Sequence, residues 1–321
     1  MQYAAMTHDA VQRSRCNFYE SVGGMNMASF WITENHNYER PCMITCALSG
    51  VVANRDQCPA IPYTPEEYAA EARRAYEAGA AVVHIHARTP DGAPSYEVDD
   101  YRNIYEAVTS ACPVIINFST GAVGIPVEKK IAPIREIQPA IGALNMGSMN
   151  YAKYHSGKKS FVFDFVFANP FYEITSIVTT MKESGVKPEM ECFDSGHIGN
   201  SFPLIDMGLL EPPYQFSLIM GVLGGMPPTA DNLAHQVRLL PPDSDWEVIG
   251  ISHDQWRMVA TAIALGGNVR VGLEDNFYVS AGVMAKSNGD LVEKAAKMIQ
   301  DQGRKVATAE ECRERLGLKH R

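Results

Sequence analysis

Two histidines spaced two residues apart, His84 and His86, close one apolar run, and two acids, Glu274 and Asp275, close another near the C-terminus. Side chains two apart on a β-strand share a face. In Val83-His84-Ile85-His86 both imidazoles therefore project one way and Ile85 the other. Two imidazoles on one face suit a divalent ion, and zinc, nickel and cobalt all accept such nitrogen ligands. The same pair is also compatible with hydrogen-bonded core histidines. Glu274 supplies a third partner, and a His₂Glu set leaves one position open for water or substrate, as catalytic zinc sites do. Without the histidines, Glu274-Asp275-Asn276 would read as a solvated loop or a helix cap. Arg270 shares a strand face with Glu274, and a buried guanidinium needs an anion. A structural ion pair and a role in polarising substrate both satisfy that need.

Other apolar runs end in groups able to bind oxygen. Asn117-Phe118-Ser119-Thr120-Gly121 offers hydroxyls and backbone N–H groups on a glycine turn, which suits a carboxylate nest. Asn145-Met146-Gly147-Ser148-Met149-Asn150 does the same, with Asn145 and Ser148 as candidates. Either stretch serves equally well as a helix N-cap. The run from Gly221 to Thr229 is glycine-rich and precedes a helix, but matches no phosphate-loop pattern, so it reads as a turn. His235 falls mid-helix and is expected at the surface, His253 follows the seventh strand, and His197 is unassigned. Asp194, Ser195 and Glu191 are expected to cap a helix.

The elements that must hold these residues alternate. Apolar runs begin at Met43, Ala81, Pro113, Ile141, Glu189, Tyr214, Trp246 and Asn268, and stretches of helical period separate them. That rhythm predicts parallel βα units, and eight of them make a TIM (β/α)8 barrel, whose active site lies where strands run into the following loops. The clearest helix opens with Thr64 as N-cap, Pro65 at the first position and Glu67 closing a capping box, and stops at Gly79. Further helices are expected over 98–110, 127–138, 170–184, 229–240, 255–266, 287–302 and 308–316. Residues 151–168 break the rhythm and predict a hairpin inserted after strand 4. Residues 1–40 read as an N-terminal extension, helical in part, and 41–321 as the catalytic domain.

The chain has 321 residues and a formal net charge of -9, with a sequence pI near 5.5 and no basic run. That balance argues against a nucleic-acid partner, which draws on clustered Lys and Arg. No apolar stretch approaches the roughly 20 residues a bilayer requires, and no basic flank precedes an apolar segment at the N-terminus. A cytoplasmic protein with no membrane partner is expected. The 7 cysteines are scattered without a CxxC pair, so neither a disulfide framework nor a thiolate zinc knuckle is expected.

Taken together and in order, VHIHARTPDG, INFSTG, LNMGSMN and VRVGLEDN resemble the β-keto acid cleavage enzymes, the family that includes 3-keto-5-aminohexanoate cleavage enzyme. The resemblance runs from about Pro41 to the C-terminal helices. It implies a zinc-dependent barrel, commonly a homotetramer, that reacts a β-keto acid with acetyl-CoA to give acetoacetate and a new acyl-CoA. It further implies His84, His86 and Glu274 as Zn2+ ligands, Arg270 and Asp275 as catalytic residues, and Ser119, Thr120 and Gly121 as carboxylate binders. In that scheme Asp275 is the base, Arg270 steadies anionic intermediates, and retro-Claisen cleavage releases acetoacetate. The chain departs from the family at Val52, where the prototype carries an acid facing the substrate amine, and at Ala143, where Ser or Thr is common. A metal-dependent aldolase or hydrolase that ignores CoA, and a non-catalytic barrel, are the competing readings.

Overall fold

The computed structural model describes residues 38–318. The partial helicity expected within 1–40 falls on residues 1–37, outside the described residues. The chain runs β1 (Ile44–Ala47), α1 (Pro65–Glu77), β2 (Val82–Ile85), α2 (Val98–Ala111), β3 (Ile115–Phe118), α3 (Val127–Ile137) and β4 (Ile141–Asn145). A hairpin of β5 (Met149–His155) and β6 (Ser160–Phe167) follows, and then α4 (Phe171–Ser184), β7 (Lys187–Cys192) and the short helices α5 (Ser195–Gly199) and α6 (Ser201–Asp206). The remainder is β8 (Tyr214–Met220), α7 (Ala230–Leu239), β9 (Ser244–Gly250), α8 (Gln255–Ala264), β10 (Asn268–Val271), a small ribbon β11 (Tyr278–Ser280) and β12 (Val283–Met284), α9 (Asn288–Asp301) and α10 (Ala309–Leu316). Eight strands close into a parallel barrel in the order β1-β10-β9-β8-β7-β4-β3-β2. The expected TIM architecture, with its hairpin after strand 4, is present.

Local chemistry accounts for the elements. Thr64 caps α1 through the Glu67 N–H while Glu67 accepts from the Thr64 N–H, and Pro65 fills the first helical position. Barrel strands are covered on both faces, so their apolar runs are nearly continuous. Outward side chains such as Ile85 and Phe118 pack under the helices, and Phe118 meets Tyr101 edge to face at 4.7 Å. The expected fifth strand begins two residues earlier than its apolar run, because Lys187 and Pro188 pair with Ile141 and Gly142 of β4. The ribbon β11 and β12 and the helices α5 and α6 are additional; each is too short to show a period in sequence.

The two ends of the barrel differ. One is plugged: Met43, Val82, Ile115 and Ile141, at the strand starts, pack against Ala309, Cys312 and Leu316 of α10. The other, where strands run into loops, carries the polar groups, partly roofed by the hairpin. There Met149 and Phe167 pack on Phe193, Ile219 and Ile249, and Tyr151 lies parallel to Phe165 at 5.3 Å. The glycines after β8 serve this packing: a Cβ on Gly224, at φ +106°, would fall 1.9 Å from the Asn150 carbonyl oxygen. The Gly221 to Thr229 run is thus a turn seated against the hairpin. Among the described residues no helix is long and apolar enough to cross a membrane, and the six described cysteines are buried and free.

Candidate active site

β2 delivers His84 and His86 to the interior with ring centroids 5.2 Å apart and edge to face, while β10 and the turn after it deliver Arg270, Glu274 and Asp275. Because β1 separates β2 from β10, the two groups approach from either side of it. Glu274 Oε2 lies 3.8 Å from His84 Nε2, and Glu274 Oε1 lies 3.5 Å from His86 Nε2. One ligand atom from each of the three residues falls within 4.8 Å of the others. Ligands about 2.0–2.1 Å from a tetrahedral ion sit roughly 3.3 Å apart, so these spacings need little adjustment to hold a divalent ion. Both ring nitrogens of His84 and Oε2 of Glu274 are buried without a hydrogen-bond partner, a state that buried polar atoms avoid unless something else satisfies them. The donor set fits a metal.

Arg270 is 2 % exposed and meets three acids. It donates Nε and Nη2 to Asp275 at 3.0 and 3.1 Å, Nη2 to Glu274 Oε1 at 2.7 Å, and Nη1 to Glu191 Oε1 at 3.3 Å. Burial pulls on its pKa from below, but Asp275, Glu274 and Glu191 outweigh it and hold the guanidinium charged. Burial pushes at Glu274 from above, yet Arg270 and the two imidazoles together hold its carboxyl well below the usual range. Asp275 is pushed up to about 6 by burial, with Arg270 opposing, and Glu191 to about 7 for the same reasons. Burial, followed by the charge of Arg270, keeps His84 neutral, the form that binds metal.

Glu191 is a correction to the sequence reading. It lies inside β7 with its carboxyl on Arg270, whereas capping falls to Asp194 alone, which accepts the Gly196 N–H at 3.0 Å. Among the oxygen-binding candidates, Ser119 and Asn145 converge, since a Cβ on Gly121 would meet Asn145 Nδ2 at 3.3 Å and Ser119 Oγ at 3.4 Å. Ser119 Oγ also accepts the Gly121 N–H at 3.1 Å. Thr120 instead donates its hydroxyl to the Ala143 carbonyl at 2.6 Å, and exposed Ser148 accepts the Asn169 N–H at 2.8 Å. His197 accepts the Phe193 N–H at 3.2 Å and is a satisfied structural histidine; His235 and His253 are exposed.

Two features were not expected from sequence. The first is a clamp. Arg88, two residues past His86, is 3 % exposed and faces carbonyls instead of an acid: Nε to Gly50 at 2.9 Å, Nη1 to Gly92 at 2.7 Å and Nη2 to Ala53 at 2.6 Å. It draws the loop after β1 over Glu274, where Gly50, at φ +56°, would place a Cβ 2.6 Å from Glu274 Cγ. Gly50→Ala is expected to lower stability by about 1–2 kcal/mol from the left-handed backbone alone, and to weaken metal retention by displacing Glu274. Denaturant midpoints and chelator competition measure the two effects; an unchanged metal affinity would show that the contact does not position the carboxylate.

The second is a buried acid pair below the site. Ser217 Oγ lies 2.6 Å from Glu189 Oε1 and 3.1 Å from Glu247 Oε1, and Thr45 donates to Glu247 Oε2 at 2.6 Å. One hydroxyl proton serves one of the two carboxyls, so a protonated carboxyl satisfies the other contact. Burial, then Glu247, pushes Glu189 up to about 8, and burial pushes Glu247 up to about 7. An acid with a raised folded pKa keeps a proton that the unfolded chain releases, so its contribution falls as pH rises from the ordinary carboxylate range to that pKa. Metal-free Glu189→Gln is therefore expected to gain stability relative to the parent from pH 5 to pH 8. Denaturant titrations across that window check it, and a difference independent of pH would contradict it.

Comparison with known proteins identifies the family. The chain is 38% identical over 279 residues to the 3-keto-5-aminohexanoate cleavage enzyme of Fusobacterium nucleatum, covering 86% of this chain and 98% of that protein. It is 33% identical over 302 residues to the 3,5-dioxohexanoate:acetyl-CoA acetone transferase of Paraburkholderia graminis, covering 88% and 97% respectively. Among solved structures, apo ObcA superposes with a TM-score of 0.66 at 22% identity, covering 81% of this chain and 66% of its own, a likeness of fold. Residues 41–318 match the family described as beta-keto acid cleavage enzyme, and the chain belongs to it as an enzyme of that family.

Proposed function

We propose that this enzyme transfers an acetyl group from acetyl-CoA to a β-keto acid and cleaves the adduct, giving acetoacetate and the acyl-CoA of the original ketone. The observation that carries this reading is the union of a His84, His86 and Glu274 cluster with a buried Arg270 already bridging Glu274 to Asp275. His84, His86 and Glu274 would hold a divalent ion, zinc foremost, which would supply Lewis-acid polarisation of the substrate.

The protein's own groups do the rest. Asp275 takes a proton from the carbon between ketone and carboxylate; each of its oxygens keeps a lone pair beyond its bond to Arg270. A carboxyl titrating near 6 accepts that proton at neutral pH without holding it too tightly. Arg270 carries fixed positive charge into a dry site where anionic states form, the arrangement in which preorganised charge is most effective. Ser119 and Asn145, on either side of the Gly121 turn, offer the substrate carboxylate donors, with Thr120 and Ser148 holding the backbone around them. The methylene and carboxylate carbons of the keto acid leave in acetoacetate, joined to the acetyl group, and the CoA sulfur takes the remaining acyl group. Val52, 68 % exposed on the loop over Glu274, supports an uncharged substrate tail.

Zinc-loaded protein incubated with a chemically varied panel of β-keto acids should form acetoacetate only when acetyl-CoA is present. Turnover without acetyl-CoA would indicate an aldolase or hydrolase on the same metal.

A further inference from the structure

Asn117 faces the interior from β3 directly beside His84, its register partner on β2. Asn117 Oδ1 and both His84 ring nitrogens are buried without a hydrogen-bond partner. His84 Nε2 is the nitrogen turned to Glu274. Nδ1 is then left for Asn117. The amide itself is oriented from the far side: Asn117 Nδ2 donates to Glu189 Oε2, and Glu189 is fixed by Ser217 Oγ at 2.6 Å and Gln215 Nε2 at 3.4 Å. Asn117, His84, Glu189 and Ser217 are at 0 % exposure and Gln215 at 1 %.

We propose that Asn117 is a positioning residue for the metal site: its Oδ1 accepts the Nδ1 proton of His84, which fixes the imidazole tautomer and turns the Nε2 lone pair toward the ion. The direction of the relay follows from donor and acceptor counts. Because Nδ2 is engaged with Glu189, Asn117 presents its oxygen, an acceptor only, to the histidine. A neutral imidazole that donates from Nδ1 has its free lone pair on Nε2 and no other choice. Glu189 thereby keeps the amide from flipping, a flip that would oppose an N–H to Nδ1 and favour the wrong tautomer. Metal-ligating histidines are commonly held this way, and loss of the outer partner typically lowers metal affinity about 10–100-fold. The inference rests on the metal site proposed above.

The test uses the full chain, zinc competition against a chromophoric chelator, and the visible spectrum of the cobalt-substituted protein. Asn117→Leu, close in shape but without an acceptor, should weaken zinc binding about 10–100-fold and alter the cobalt bands. Asn117→Asp combined with Glu189→Gln exchanges donor and acceptor between the two positions while keeping an oxygen on His84. It should restore both affinity and spectrum, a rescue that a merely structural role would not give. If Asn117→Leu fails to fold, the double variant still decides, since a tenfold loss of affinity in it overturns the relay. Zinc binding unaffected in Asn117→Leu overturns it as well. Failure of the unaltered protein to bind zinc would instead remove the metal reading and the relay together.

Discussion

Glu274→Gln is expected to empty the site of metal, whereas Asp275→Asn is expected to retain metal and lose about 10²–10⁴-fold in turnover, the range for removal of a general base. The two acids are adjacent in sequence but differently placed. Glu274 points its unpartnered oxygen at the imidazoles, and its charge is held by Arg270 and both histidines. An amide cannot reproduce that charge and offers only a weak oxygen ligand. Asp275 has both oxygens on Arg270 and none on the imidazoles, so its amide leaves the three ligands in place while removing the proton acceptor and one half of the fork to Arg270. Elemental analysis of both purified variants, beside their turnover numbers, checks the split. Equal loss of metal in the two would assign Asp275 to holding the ion.

Replacing Arg270 should do the widest damage. Arg270→Met leaves three carboxyls, on buried Glu191 and Asp275 and on partly buried Glu274, without their shared cation. Removing one partner of a buried ion pair costs about 3–5 kcal/mol, and losing fixed charge at a reacting centre costs about 10²–10³-fold in kcat. Arg270→Lys should recover little, because an ammonium cannot span the fork to Asp275 and also reach Glu191 and Glu274. Denaturant unfolding and steady-state kinetics read the two losses. A lysine variant with parental stability and turnover would show that position 270 supplies only a point charge.

The metal cluster was legible in sequence because its signal is local: His84-x-His86 uses the strand's period of two, and Glu274 follows an apolar run at a strand end. The acids of the interior were not. Glu189-x-Glu191 on β7 carries the same period-two signature as the histidines, and Glu247, Asn117 and Ser217 each interrupt an apolar run. A polar residue within a strand ordinarily reads as solvent-facing. In a closed barrel with helices outside there is no solvent face, so such a residue must turn inward and find a partner there. Once eight strands are recognised, that rule points to Glu189, Glu191 and Glu247. Strand order around the barrel follows chain order, but the pairings among them also depend on strand register, and spacing along the chain carries no record of it. Arg88 was hidden differently, since its partners are backbone carbonyls, most of them on a loop 35 to 39 residues earlier.

The most direct measurement of the proposed reaction follows atoms. Acetyl-CoA labelled with carbon-13 in both acetyl carbons, incubated with a β-keto acid other than acetoacetate and the zinc-loaded enzyme, should yield acetoacetate labelled at the third and fourth carbons, together with an unlabelled acyl-CoA bearing the substrate's tail. Label remaining in acetyl-CoA or released as acetate while the keto acid is consumed would contradict acyl exchange at this site.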